Sequence, residues 1–597
     1  MKSVLLLFFN LFFFLHCRPD LPIQVDTKPL KSNVIWIVID SLRGDILGNY
    51  GVSPHLDEFA RESYVFEDHL VNAAWTRPST LVFFTGKYAS SLPVNFWDYP
   101  TTREEVSEFY RQVKYPLPRI LLNQGMNTIM VGNNPFLNDQ FGLGVNVGFK
   151  ELYDFSNFAK DTPLITNKTL EVIDTISKEK NANPFFLFIN FNDPHKPYTP
   201  PTGYTNRIQT KEILEERKRD YLGEVAYIDD QIKIIFDALK ESGLYDTSLI
   251  LITADHGEVM DPGHAISPFT GTNTFFGHGQ DLFYENIHVP LLIKMPNQKQ
   301  GRRIQKRTQS VDLYPFLLEH LNIPIPPEIS GQSFGNILVS ENSTERTYYG
   351  ETRATQGVGI AEHFLLQKSF RFHKPGKFWK GFVGKEKYFY YDRKKDPKQL
   401  SPIIFSDLSE LIDNQTLPEE GKSIISNLWN QLKVLEPPIP IYQIRVNLGL
   451  TMLNEVKIRL QTKEGSIRIL ESDDFQIDWQ SNQNALLVWK DSAPEKQGSK
   501  QISFEVYPDV SFPQFRFEVN GKPVADDKIG IGVYEISPNA CNPNCFPFYD
   551  TGLNQPRRSF SNIFQVWRQG KGAQSYERKD DLETDAMEIL KKQGYVH

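Results

Sequence analysis

The sequence predicts an α/β fold on a mostly parallel sheet, followed by a smaller β-rich domain. Three observations carry that expectation. First, segments that are apolar at nearly every position recur at NVIWIVID (33–40), PFFLFINFNDPH (184–195) and SLILITADHG (248–257). Such a run marks a strand buried on both faces, as in a parallel sheet. Second, helical patterns lie between these runs, for example from Lys211 to Ser242. Strands alternating with helices build a parallel sheet with helices over its faces. Third, the pattern changes near residue 437. VKIRLQT, SIRILES, NALLVWK and QISFEVYP are short strand segments separated by Gly, Asn and Asp-rich turns.

Taken in order, the chain opens with MKSVLLLFFNLFFFLHC. Lys2 precedes an apolar stretch from Val4 to Leu15 that is broken only by Asn10. About twelve apolar residues fall short of the roughly 20 that span a bilayer, so residues 1–17 read as a secretory signal. The stretch ends at Cys17, which reads as the lipidated first residue of a mature lipoprotein. Phe14-Leu15-His16 departs from the small residues usual before such a cysteine, and simple export or an uncleaved anchor are the alternatives. Export to the periplasm or cell surface follows, with membrane contact only through this anchor or signal. Residues 18–32 are a polar, Pro-containing tether. Residues 33–435 form the α/β domain, and 437–597 the β-rich domain and a tail. Within the tail, Cys541 and Cys545 sit in CNPNC, within disulfide reach in an oxidising compartment. The alternative is two free thiols. Zinc is disfavoured because a second ligand pair is missing.

The overall balance bounds the partners. With 597 residues the chain exceeds one ordinary domain. Its net charge of −8 argues against a nucleic-acid binder, which would carry a basic stripe. A small anionic substrate remains compatible, because a pocket can be locally positive. Oligomeric state is not legible.

Sites in parallel α/β sheets lie beyond the carboxyl ends of the strands. Asp40, Asp193, His195, Asp255 and His256 all stand there, and are expected to converge. Two carboxylates and an imidazole suit a divalent cation. Asp40, Asp255 and His256 are the predicted ligands, with Thr76 as a further one; a turn with a capping Asp is the alternative for Asp255-His256. Thr76 lies in AAWTRPSTLVFFTGK (73–87). A hydroxyl at a helix start is commonly a cap, but the same place favours a nucleophile that becomes negative. His195 in NDPHKPY and His278 in FGHGQDLFYE are candidates for protonating a leaving oxygen, contacting an anion or completing a second metal site. Among the cations, Lys87 and Arg43 are the favoured substrate contacts, ahead of Arg77 and Lys196.

These pieces, in this order, resemble a known family. NVIWIVIDSLRGDILGNYG and the TRPSTLVFFTG segment look like the opening of a sulfatase-type domain in the alkaline phosphatase superfamily. FNDPHKPY, ITADHGE, HGQDLFYENIHVPLLIKMP and VDLYPFLLEHLNIPIP follow in the family's order, and the resemblance covers roughly residues 31–435. It implies an alkaline-phosphatase-like α/β/α sandwich. It also implies a metal-dependent hydrolase of phosphate or sulfate esters with Thr76 at the nucleophile position. The departures are specific. Threonine replaces the Cys or Ser that becomes formylglycine, and its β-methyl forbids oxidation to an aldehyde. Thr80 stands for an Arg, Ser41 for the second Asp of a pair, and Asn133 for a Lys. These changes resemble the phosphoryl-handling relatives, such as phosphonate monoester hydrolases and phosphoethanolamine transferases, in which a metal-bound hydroxyl forms a covalent intermediate. One ion is expected, zinc or manganese ahead of calcium, because imidazole suits softer metals. The rival expectations are a phosphoryl-group transferase and a catalytically inactive surface-binding lipoprotein.

Overall fold

A computed structural model describes residues 32–91, 113, 115–137, 144–156, 161–179, 183–269, 271, 273–340, 346–352, 355–368, 387–406, 408–412, 417–435, 441–448, 453–462, 466–481, 483–490, 498–507, 513–531, 549–550 and 561–569. The first and largest sheet has eight strands. They are β1 (Asn33–Ile39), β2 (Tyr64–Phe66), β4 (Asn127–Gly132), β5 (Glu151–Asp154), β6 (Phe185–Phe191), β7 (Ser248–Thr253), β8 (Leu291–Lys294) and β9 (Arg302–Ile304); the two-residue β3 (His69–Leu70) lies outside it. Their order is β5-β4-β6-β1-β7-β8-β2-β9. The five strands from β5 to β7 are mutually parallel, and β8 runs against both its neighbours.

The apolar runs explain why β1 sits at the centre. Ile35, Ile37 and Ile39 face one side of the sheet with Leu187, Ile189, Ile250 and Ile252. Val34, Trp36 and Val38 face the other with Phe186, Phe188, Leu249 and Leu251. The first face is covered by helix Glu216–Glu241, helix Thr162–Lys178 and α1 (Pro54–Ala60), through Tyr221, Leu222, Ile165, Val172, Leu56 and Phe59. The second is covered by α2 (Thr76–Thr85) and helix Leu313–His320, through Phe83, Phe84, Phe316 and Leu317. Each fully buried side chain of this size contributes roughly 1.5–3 kcal/mol. The result is the predicted α/β/α sandwich around a mostly parallel sheet.

A five-stranded antiparallel sheet within residues 348–405 was not anticipated. Its members include TQGVGI, which two glycines interrupt, and the short HFLLQK; both carry little periodic signal. The last helix before the β-rich region is Glu419–Leu435, and the region's first strand is Ile441–Leu448. Two sheets of six and five strands follow. Burial alternates strictly along Glu455–Gln461 and Asn484–Lys490, as one covered and one wet face require. Val456, Ile458, Leu460, Ala485 and Leu487 fill the core with Phe504 and Phe564. Strands continue to Gln569, within the segment read from the sequence as β-rich domain and tail. Among the described residues no helix is long and apolar enough to cross a membrane. Cys17, Cys541 and Cys545 lie outside the described residues.

Candidate active site

The site forms where the parallel strands end. The Asp40 amide continues the ladder by donating to the Phe191 carbonyl at 2.9 Å, so the carboxylate leaves the sheet in a fixed direction. Ser41 then turns the chain at φ +60°, a left-handed conformation unusual for a side-chain-bearing residue. The turn lets the Ser41 amide donate to Asp255 Oδ1 at 3.2 Å and its hydroxyl donate to Asp40 Oδ1 at 2.8 Å. Strain of this kind persists where the surroundings hold it, commonly at functional sites. Beyond β7, the His256 amide donates to Asp255 Oδ1 at 2.9 Å. Gly257 follows because a Cβ there would lie 2.1 Å from the Glu285 carbonyl oxygen.

Thr76 is the first residue of α2, not its cap. The N-cap is Trp75, with extended backbone and no capping side-chain bond. The Thr76 hydroxyl instead points into the cluster, 3.4 Å from Asp40 Oδ2 and 3.3 Å from His256 Nε2. It is buried, as are Asp40, Asp255 and His256. The free N–H groups of the first helical turn add positive potential at that end.

The histidine tautomers follow from their partners. His256 Nδ1 lies 2.8 Å from the Gly257 carbonyl, which only accepts, so Nδ1 carries the proton. His256 Nε2 therefore faces Asp40 and Asp255, at 3.4 and 3.5 Å. His195 Nδ1 is likewise held by the Lys196 carbonyl at 2.7 Å. His278 packs between the two, its ring centroid 4.2 Å from that of His256 and 5.0 Å from that of His195. Burial works against charge on His256, yet Asp255 and Asp40 outweigh it and hold its pKa above the ordinary value.

That balance is a test of whether a cation fits. Asp40, Asp255 and His256 each offer a ligand atom within 4.8 Å of the others. Asp255 Oδ2 is buried and has no hydrogen-bond partner. Buried carboxylates left in this state call for a positive group, and two oxygens with one imidazole nitrogen suit a divalent metal. The residues fit the group that the sequence implied.

Thus Thr76, Asp40, Asp255, His256, His195 and His278 are brought together. Arg43 and Lys87 are not. The Arg43 guanidinium donates to both Asp45 oxygens, the Glu258 carbonyl and Glu285 Oε2, at 2.7–2.9 Å. It braces the loop after His256. Lys87 lies beyond Gly86 at the opposite end of the ten-residue α2, about 15 Å along the axis from Thr76. Asp193, expected to converge with these groups, accepts the Thr162 hydroxyl. The Thr80 hydroxyl donates to the Arg77 carbonyl.

Three contributors escaped the sequence. Asn134 Nδ2 donates to Asp40 Oδ2 at 2.9 Å and lies 3.2 Å from Asn192 Oδ1. Asn192 follows β6, which neighbours β1, and Asn134 follows β4, the next strand out; their place beyond parallel strands is the available signal. Asn133, singled out in their place, is buried with no partner for either side-chain polar atom. Glu258, two residues past His256, sits 3.2 Å from His278 Nδ1.

Comparison with known proteins agrees with this geometry. Residues 32–323 match the family model described as Sulfatase, and residues 274–428 match N-sulphoglucosamine sulphohydrolase, C-terminal. An arylsulfatase of Clostridium perfringens is 26% identical over 467 residues, covering 63% of this chain and 91% of that protein. Two solved structures share the fold with TM-scores of 0.51 and 17% identity. One is a protein of glycosaminoglycan metabolism from Bacteroides thetaiotaomicron, covering 68% of this chain and 96% of that one. The other is the phosphonate monoester hydrolase of Agrobacterium radiobacter, covering 67% and 96%. Over these residues the chain is similar to sulfatase-type ester hydrolases.

Proposed function

We propose that this protein hydrolyses small anionic esters of sulfate or of a phosphorus oxyacid, with Thr76 as the attacking group. The observation that carries this reading is the Thr76 hydroxyl, buried and within reach of both Asp40 and His256. In the first step the Thr76 hydroxyl gives up its proton to solvent, Oγ1 forms a bond to the central sulfur or phosphorus, and the bond to the leaving oxygen breaks; the proton released balances the one the departing alcohol takes up. The departing alcohol takes a proton, for which His278 and His195 are the nearby donors. Threonine offers one oxygen only. Its ester is therefore released by water attacking the central atom, which regenerates the hydroxyl and frees the oxyanion.

Asp40, Asp255 and His256 would hold one divalent cation, zinc or manganese ahead of calcium, which when bound acidifies a nearby hydroxyl and attracts the substrate's oxygens. Asn134 holds the Asp40 carboxylate in orientation. The Ser41 amide and hydroxyl do the same for both carboxylates. The likeness to an arylsulfatase supports a sulfate ester. The likeness to a phosphonate monoester hydrolase and the unconvertible threonine support phosphorus.

The test supplies metal-free protein with Zn²⁺, Mn²⁺ or Ca²⁺ separately. Turnover is then measured on matched aryl esters: sulfate, phosphate monoester, phosphodiester and phosphonate. Thr76→Ala is expected to abolish turnover while retaining metal. Full activity in that variant removes Thr76 from the nucleophile role. Product formation that requires an added alcohol would move the reaction from hydrolysis to transfer. Export with a lipid at Cys17 belongs to the same reading, and Cys17→Ala is expected to release the protein from the membrane fraction.

A further inference from the structure

We infer that Glu258 is a positioning residue for His278, fixing which edge of that imidazole meets the substrate. The inference rests on the reading that Thr76 and its neighbours cleave the ester. Three histidines crowd one side of Thr76, and each has its Nδ1 engaged. His256 and His195 donate to the backbone carbonyls of Gly257 and Lys196, at 2.8 and 2.7 Å. His278 differs. Its Nδ1 lies 3.2 Å from a carboxylate oxygen of Glu258. Glu258 is wholly buried.

Glu258 is tied to its surroundings through its backbone. Its backbone N–H donates to the Glu285 carbonyl at 3.2 Å. Its own carbonyl accepts from Arg43 at 2.9 Å, and the same guanidinium grips Glu285 and Asp45. A carboxylate only accepts, so Nδ1 of His278 carries a hydrogen, and Nε2 becomes the edge presented away from Glu258. An outer partner of this kind sets both tautomer and ring orientation. His278 is the middle ring of the three, so a turned ring would lose its place over the leaving oxygen. Because the anchor is a side chain, one substitution can release it without disturbing the backbone that holds His256 and His195.

The experiment uses Glu258→Ala, Glu258→Gln, His278→Ala and the double variant Glu258→Ala/His278→Ala. The substrates are a para-nitrophenyl and an unsubstituted phenyl ester of whichever oxyacid the wild type turns over. The phenyl leaving group needs a proton and the nitrophenyl group hardly does. Glu258→Ala should lower kcat on the phenyl ester about 10- to 100-fold, with KM unchanged, and change kcat on the nitrophenyl ester by less than about threefold. The double variant should be no slower than His278→Ala alone. Glu258→Gln keeps an accepting oxygen and should stay near wild type. Crystal structures of wild type and Glu258→Ala provide a readout independent of turnover, and should show the His278 ring rotated in the variant. Equal losses on both esters, or losses that multiply in the double variant, would reduce Glu258 to a brace for the loop. So would an unmoved ring. If the wild type turns over neither ester, the proposed function fails, and the ring orientation still decides the role of Glu258.

Discussion

Two clusters of one histidine and two aspartates occur among the described residues, and they are built for opposite ends. Asp40, Asp255 and His256 form one; His55, Asp229 and Asp230 form the other. Both bring their ligand atoms within 4.8 Å. In the second cluster every oxygen has work elsewhere. Asp229 accepts the His55 and Leu56 amides at 2.9 and 2.8 Å, satisfying the start of α1. Asp230 takes Arg207 at 2.8 Å and the Tyr204 hydroxyl at 3.0 Å. His55 is partly exposed and meets Asp230 only at 3.8 Å. In the first cluster the histidine's outer nitrogen is held by backbone, its inner nitrogen faces the carboxylates, and Asp255 Oδ2 has no hydrogen-bond partner. Residue types are the same in both, and both bring their ligand atoms within the same reach. What separates a candidate metal centre from a structural knot is which lone pairs are already committed.

The contrast breaks most visibly at the aspartates. Asp255→Asn is expected to lose the metal and at least about a thousandfold in turnover, equivalent to roughly 4 kcal/mol of barrier. Asp229→Asn is expected to keep both. Metal content by elemental analysis beside kcat decides it, and equal metal loss in the two variants would erase the distinction drawn here.

A smaller effect should appear one shell out. Asn134→Ala removes the donor to Asp40 Oδ2 and is expected to weaken metal affinity about 10- to 100-fold. Competition with a chelator measures it. Unchanged affinity would mean that Ser41 alone suffices to orient Asp40.

The structural cluster should reveal itself through pH. Burial pushes the Asp229 carboxyl up to about 7, against the pull of its two amide donors. An unfolded Asp titrates near 3.9. The folded pKa is the higher one, so the stabilisation is complete below about pH 4 and is lost as pH rises through about 7. The wild type should therefore lose stability relative to Asp229→Asn across this window, by at most about 4 kcal/mol. Thermal midpoints of both proteins at several pH values test the sign. A difference that does not change with pH would show the two amides keeping Asp229 ionised. The smallest effect belongs to Arg207→Ala. Its pair with Asp230 is half-exposed, so less than about 1 kcal/mol is expected, fading with salt.

Much of this site is legible in the sequence. A strand buried on both faces must be apolar throughout, so the first polar residues after it announce a strand end. That rule found Asp40, His195, Asp255 and His256, and the helix-start position found Thr76. Arg43 illustrates what spacing leaves open, because a cation in sequence does not declare its partner. Arg43 is taken by Asp45 and Glu285, the latter 242 positions away. The sheet of residues 348–405 is not legible in the sequence because its strands are short and lack a clean period.

The sequence by itself determined the order of the layers, the burial of the central strands and the set of acidic and imidazole groups available at their ends. Those follow from local pattern, since hydrophobic periodicity is a property of neighbouring residues. Only the tertiary structure decided which groups are at liberty to bind. Asn134 rather than Asn133 reaches Asp40, Thr76 opens α2 instead of capping it, Glu258 stands behind His278, and Asp229 closes a helix instead of facing an ion. Each of these depends on the direction of one hydrogen bond between residues far apart in the chain. Direction is set by backbone angles and packing, which residue type and spacing leave open.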